Sequence, residues 1–323
     1  MRTENEVFYI DRPHRLSLKD VVKYCIYPFY NVFLKFMSLL FTKDRRATKY
    51  KVSVCTCFKN EAPFIKEWIE YHLFIGVEHF YLYNNNSTDH YQDILDPYVQ
   101  SGVVTILDFP VVPVQVAAYK HFYDNFRNET QWVAFIDIDE FICLKKDESI
   151  ISWLSKFSKY PLVYMYWKYF GSNGLLEHDE SRTVMEQYTC ATDKYINIGK
   201  VFYNTRYDIA KFDKSMVHFM LVNWHGILIP AVNEAMNFSI WGIQKIKNKQ
   251  FTLQLNHYWS KAFNQYIRKY KNGSAAFGDN WKKIWVYKET EHLCKSPDYT
   301  IFRFLTEVKL HIKGIDENTI LDK

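Results

Sequence analysis

YKVSVCTCFKNEAPFIKEWIEYHLFIGVEHFYLYNNNSTD, residues 50–89, decides the fold class. YKVSVCTC is rich in β-branched and apolar side chains and reads as a buried strand. Pro63 then stands just inside a helical pattern, APFIKEWIEYHLFIG, which Gly76 closes. Proline early and glycine late is the asymmetry of a helix. HFYLY follows as a second strand, with NNNSTD as its loop. A strand, a crossover helix and another strand make a parallel pair. Outward from there, YQDILDPYV and QVAAYKHFYDNFR read as helices, and GVVTILDF and WVAFI as strands. This rhythm predicts an α/β protein: a Rossmann-like, mixed but mainly parallel sheet flanked by helices. From Leu162 onward the order is less regular and predicts a mixed extension of the sheet. No internal repeat or low-complexity linker divides the body.

A 48% hydrophobic fraction with 18% aromatics supports a large core and excludes disorder. Of the formal charge of +5, residues 1–51 carry +6, leaving −1 for the rest. The basic excess therefore points to an anionic membrane surface near the N-terminus. No zinc-finger spacing, RNP-type motif or Arg-rich recognition helix points to nucleic acid. The six cysteines, Cys25, Cys55, Cys57, Cys143, Cys190 and Cys294, show no disulfide framework. A reducing compartment is the simplest account. VVKYCIYPFYNVFLKFMSLLF, residues 21–41, lacks the features of a secretory signal. Lys19, Lys23, Asn31 and Lys35 fall at multiples of four, a polar stripe on an otherwise apolar helix. That pattern fits an amphipathic helix lying in the membrane interface with its lysines at the headgroups, and packing on the protein's own core is the alternative. The expected organisation is a membrane-associating segment over 1–48, a catalytic domain over 49–290 and a helical tail over 291–323. Peripheral contact with the cytoplasmic face of the membrane goes with it. The oligomeric state is not legible.

The strongest chemical motif is FIDIDEF, residues 135–141, at the end of the apolar strand WVAFI. Open α/β sheets bind ligands at the carboxyl ends of their strands. In extended backbone Asp137 and Asp139 face one side, so their carboxylates could converge on Mn²⁺ or Mg²⁺, with diphosphate oxygens completing the shell. Glu140 points elsewhere and reads as a supporting group. Asn84, Asn85 and Asp89 in NNNSTD could contact a nucleobase and ribose, or form an ordinary turn. In LNHYWSKAFNQYIRKYKNG, residues 255–273, His257 closes a strand, and Lys261, Arg268, Lys269 and Lys271 follow on a helix. His257 could be a third metal ligand and Lys261 could screen diphosphate charge. A core histidine before a solvated basic face is the competing account.

Five stretches in this order resemble glycosyltransferase family 92 and its bacterial relatives near family 2. They are CFKNEAPFIKEWIEYHLFIGVEHFYLYNNNSTD, WVAFIDIDEF, WKYFGSNG, VHFM and NHYWSKAFNQYIRKYKNGSA. The resemblance runs from Lys51 to about Asn280. It implies a GT-A fold, a nucleotide-sugar donor (commonly a UDP-sugar), a carbohydrate or glycolipid acceptor, and inversion at the anomeric carbon. It implies that Asp137 and Asp139 are the metal and ribose-diphosphate carboxylates. It places Glu61, Asn85 and Asp89 at the nucleoside, His257 at the metal and Lys261 near the diphosphate. Trp167, Phe170 and Gly171 fall where the acceptor wall is expected, and His218 matches a recurrent family histidine of unassigned role. Asn84 and Asn85 stand where family 2 enzymes have aspartates, and Ala262 follows Lys261 where serine is usual.

An inverting transfer needs a carboxylate to take the acceptor proton. Asp179 is the first candidate, with Glu177, Glu180 and Asp279 behind it. The expected function is a metal-dependent hexosyl transfer, with galactose among the candidate sugars, in surface polysaccharide or lipopolysaccharide synthesis. One rival is a nucleotidyltransferase, although CTCFKNEA lacks the glycine-rich run that cradles a triphosphate. The other is a non-catalytic glycan-binding scaffold of the same fold.

Overall fold

The computed structural model describes residues 8–9, 18–239, 251–272 and 284–315. Its main sheet has eight strands: β1 (Tyr50–Phe58), β2 (His79–Asn84), β3 (Val104–Asp108), β4 (Thr130–Phe135), β5 (Glu140–Leu144), β6 (Leu162–Tyr169), β7 (Gly199–Asn204) and β8 (Leu253–His257). Their spatial order is β3-β2-β1-β4-β7-β6-β8-β5. The first four are mutually parallel. Helices α2 (Ala62–Phe74), α3 (Tyr91–Gln100) and α4 (Val114–Asn125) connect them. An order of 3-2-1-4 is that of a nucleotide-binding half-sheet. β2 and β7 are buried at every position, as strands covered on both faces must be. This is the α/β, Rossmann-like, mixed but mainly parallel arrangement anticipated above.

Two connections bring distant residues to the carboxyl edge of the sheet. β7 runs antiparallel between β4 and β6, so its first residues lie beside its neighbours' ends. Gly199 permits that approach, since a Cβ there would overlap the Met165 carbonyl. The chain also leaves β4 through Ile136–Asp139 and crosses this edge to form β5 at the far side of the sheet. There β5 pairs antiparallel with β8, setting Glu140 opposite His257. β8 pairs parallel with β6, setting His257 opposite Tyr169.

The N-terminal helix α1 (Leu18–Met37) corrects the orientation expected for its polar stripe. Asn31 turns inward, and it and the exposed Lys35 hydrogen-bond the side chain of Asn237, while the Tyr27 and Tyr30 hydroxyls donate to the Phe238 and Leu228 carbonyls. The solvent face is instead apolar: Ile26, Phe29, Val32 and Phe36 are exposed, Phe29 by 79%, and Leu39 and Leu40 continue the ridge. Buried polar groups need partners, and Asn31 finds them on the protein body rather than in water. No described helix is long and apolar enough to cross a membrane.

The region after residue 290 is not purely helical. Helix α5 (Ile284–Leu293) leads into the strand Cys294–Pro297, which pairs antiparallel with Cys190–Thr192. Gly171 makes room for this segment, because a Cβ there would lie 2.9 Å from that of Cys294. The chain then ends its described course in helix α6 (Leu305–Ile312), packed on α2.

Candidate active site

Asp137 and Asp139 sit in the turn after β4, not in extended backbone. The turn sends their carboxylates to different partners, which corrects the expectation that they share a face. Asp137 accepts from Gln115 Nε2 at 3.0 Å and pairs with Lys200 Nζ at 3.0 Å. Asp139 carries the ammonium of Lys269, from helix α7 (Phe263–Asn272), and lies 3.5 Å from His257 Nε2. Burial pushes the Asp139 carboxyl up, but Lys269 and His257 more than offset it and hold it well below its usual range. Burial, with Asp137 and Asp139 adding to it against Lys200, pushes the Glu140 carboxyl well above its usual range. Glu140 turns inward, where it accepts from Trp167 Nε1 at 2.8 Å and from the Asp137 backbone N–H at 3.1 Å. It thus braces the turn from within.

Lys200 is 1% exposed at its side chain. Burial works against its charge, yet Asp137 and Glu140 hold its pKa above the ordinary lysine value. The sequence reading missed it. Its signal was a single cation in the otherwise apolar strand GKVFYN, where an unpaired charge would be costly.

A second cationic group lines the adjoining cleft between α2 and α7. Lys261 is 6% exposed, its ammonium 3.5 Å from the centre of the Phe64 ring and 3.8 Å from Glu61 Oε2. Arg268 approaches the same Glu61 oxygen at 3.9 Å. That oxygen is buried and accepts no hydrogen bond. Burial brings Lys261 down from 10.5 to about 8, with Glu61 and Asp139 resisting and Lys269 and Arg268 adding to the fall.

The predicted nucleoside contacts mainly order loops. Asn85 donates to the Phe109 and Val111 carbonyls, both at 3.0 Å. Asp89 accepts from the Ala62 N–H at 2.8 Å through one oxygen, and its other oxygen is buried without a partner. Glu61 is the N-cap residue of α2. The three thus gather around the ends of β1 and β2.

His257 is buried between Trp167 and Tyr169, with ring centroids at 4.6 and 5.4 Å. Burial lowers its pKa, so the neutral ring that can ligate a metal prevails. Neighbouring ligands of a six-coordinate ion with ~2.1 Å bonds stand about 3 Å apart, near the separation of His257 Nε2 and Asp139 Oδ2. That spacing suits two ligands of one divalent cation, on the Asp139 oxygen that Lys269 holds here. The predicted triad does not form: among the described residues no three His, Cys, Asp or Glu side chains converge on one point, because Asp137 faces Gln115 and Lys200.

His218 enters the same neighbourhood. Its Nδ1 lies 3.0 Å from the Gly199 carbonyl and its ring packs on Trp167. Burial, aided by Lys200, brings it down to about 4. Of the expected acceptor wall, Trp167 borders the site, whereas Phe170 is fully buried against Tyr258 and belongs to the core. Glu177, Asp179 and Glu180 are exposed on a loop fastened to the start of α7 by the bonds Phe263 N–H to Leu175 O and Asn264 N–H to Leu176 O. Asp179 accepts from the Ser181 hydroxyl and N–H, which holds its carboxyl below the usual range. Asp279 lies outside the described residues.

The chain is similar in sequence to known proteins. The sequence model described as Glycosyltransferase family 92 matches residues 49–299. A family 92 protein of Ricinus communis is 25% identical over 256 residues, covering 75% of this chain and 41% of its own length. A family 92 protein of Oryza sativa subsp. japonica is 34% identical over 124 residues, covering 38% of this chain and 21% of its own. A galactan beta-1,4-galactosyltransferase of Arabidopsis thaliana is 29% identical over 133 residues, covering 36% and 25%. The chain therefore spans well under half of these relatives. The crystal structure of S. aureus TarS 1–349 aligns with a TM-score of 0.31 at 14% identity, covering 48% of this chain and 47% of that one. The chain belongs to glycosyltransferase family 92.

Proposed function

We propose that this chain transfers a hexose, galactose being the first candidate, from a nucleotide diphosphate sugar to a glycan acceptor with inversion. The observation that carries the proposal is a set of ion pairs at one sheet edge: Asp137 with the buried Lys200, Asp139 with the half-buried Lys269, and Glu61 with the buried Lys261. Of these, Lys261 and Lys269, with Arg268, set three cations against the two carboxylates Glu61 and Asp139. Such a site suits a doubly charged diphosphate better than a neutral ligand. The Arabidopsis relative's name supports galactose.

Lys261 and Lys269 would hold the diphosphate as the sugar departs, and Arg268 would add to the same field. Asp139 and His257 would hold Mn²⁺ or Mg²⁺, which when bound supplies Lewis-acid stabilisation of the leaving diphosphate. Lys200 fixes Asp137, and Glu140 and Trp167 hold the turn between the two aspartates. Trp167 gives the sugar an aromatic edge. Asp179 is ionised at neutral pH and available to take the acceptor proton. The exposed ridge of α1, followed by exposed Lys43, Arg45 and Lys49, would rest on an anionic membrane face.

A donor screen tests this. Nucleotide diphosphate release from UDP-galactose, with added acceptor and Mn²⁺, is the expected positive. Asp179→Asn is expected to keep donor hydrolysis and lose transfer. No release from any nucleotide sugar would sink the proposal, and equal transfer by Asp179→Asn would remove Asp179 as the base.

A further inference from the structure

A cavity of about 240 Å³ lies beside the site, lined mainly by apolar groups that include Tyr30, Tyr164, Val201, Phe219, Leu228 and Ala231. An apolar cavity of roughly 150 Å³ already takes benzene. Three elements tie this one to both the site and the surface. On β7, Lys200 pairs with Asp137, and the next residue, Val201, lines the cavity. Successive strand residues point to opposite faces, so β7 separates the two spaces. In the single-turn helix Met216–Phe219, His218 packs on Trp167 and Phe219 lines the cavity. On α1, Tyr30 lines the cavity and stacks on Phe33, which is 43% exposed on the outer ridge. The Tyr30 hydroxyl also donates to Leu228, tying α1 to the hairpin of Leu221–Trp224 and Ile227–Pro230.

We infer that this cavity receives the hydrocarbon tail of a lipid-linked acceptor. Through Tyr30 and Phe33 the apolar lining adjoins the exposed ridge of Phe29, Val32 and Phe36. An apolar cavity with an exposed apolar ridge on one side and the catalytic edge on the other matches an amphiphile whose chain is buried while its polar head stays in water. The tail anchors behind β7, and the glycan head reaches the catalytic edge past His218. This inference rests on the transferase proposal and names its acceptor class.

Photo-labelling tests it on the full chain. A dodecyl β-galactoside carrying a terminal diazirine is the probe, and labelled peptides are mapped by mass spectrometry. Labelling is expected on the stretches around Tyr30, Val201 and Phe219–Ala231, displaced by unlabelled dodecyl galactoside and not by free galactose. Leu228→Trp, at a half-exposed lining position, is expected to lower cavity labelling at least tenfold, and Ser215→Trp at the exposed rim to do the same. Thermal melting identifies a variant that has not folded, and the other variant then decides. Labels confined to the α1 ridge, full displacement by free galactose, or undiminished labelling in a folded Trp variant would each overturn the inference. Wild-type hydrolysis of nucleotide sugars is measured in parallel. Failure there removes the transferase proposal whatever the labelling shows, and labelling failure with intact hydrolysis removes only the lipid tail.

Discussion

Lys261→Met separates what this lysine does for function from what it costs the fold. Its ammonium is buried against Phe64 with Glu61 3.8 Å away, and its pKa falls from 10.5 to about 8. At 1.36 kcal/mol per pKa unit, keeping it charged below pH 8 costs the folded state about 3 kcal/mol. The sign follows from the direction of the shift. A cation whose folded pKa is depressed destabilises fully below that pKa, and the cost is relieved as pH rises from about 8 towards 10.5. Methionine keeps most of the volume and removes the charge, so it relieves part of this cost. It also leaves Glu61 with only Arg268 as a counter-ion, so a net gain of about 1–2 kcal/mol at pH 7 is expected. A charge-assisted hydrogen bond to diphosphate contributes about 1.5–3 kcal/mol, so kcat/KM for the donor should fall about 10- to 150-fold. Wild-type kcat/KM should also decline as pH rises through about 8, a limb the variant should lack. Urea unfolding at pH 7 and 10 and donor kinetics from pH 6.5 to 9.5 make the measurement. A destabilised variant with wild-type donor kinetics would refute the assignment of Lys261 to the diphosphate.

Lys200→Met breaks a buried pair with Asp137 and should cost about 2–4 kcal/mol, lowering Tm by roughly 5–10 °C and reducing activity, as read by calorimetry and donor hydrolysis. Glu67 is buried and raised to about 7, chiefly by desolvation, although it accepts the Val184 and Met185 N–H groups. A carboxyl with a raised folded pKa adds stability below its unfolded pKa near 4.5 that is lost as pH rises through about 7, so Tm should decline from pH 5 to 8 and Glu67→Gln should flatten that decline. Phe29→Glu and Phe36→Glu on the outer ridge of α1 should weaken co-sedimentation with anionic vesicles at least tenfold while leaving Tm within about 2 °C, since both side chains are exposed.

The half-sheet from Tyr50 to Phe135 was legible because its signals are local. Pro63 and Gly76 bracket α2, and Gly76 takes the left-handed φ of +99° that such an ending requires. The placing of FIDIDEF after a buried strand was legible for the same reason. What the motif does with its carboxylates was not, because the turn directing Asp137 and Asp139 apart is held by Glu140 and Trp167, which meet only through the β5-β8-β6 pairing. Lys200 and Gln115 reach Asp137 from elements 63 and 22 residues away, and no spacing rule joins them. On α1 the periodicity revealed a polar stripe without telling which side the body would take, since Asn31 and Lys35 find their partner in Asn237.

Nucleotide release from UDP-galactose by Asp139→Asn tests the central assignment most directly. The substitution keeps the side chain's size and removes the charge that Lys269 pairs with, 3.5 Å from His257 Nε2. A fall of at least a hundredfold in kcat/KM, about 2.7 kcal/mol, with the fold retained is the expected result. Wild-type turnover in that variant would contradict it.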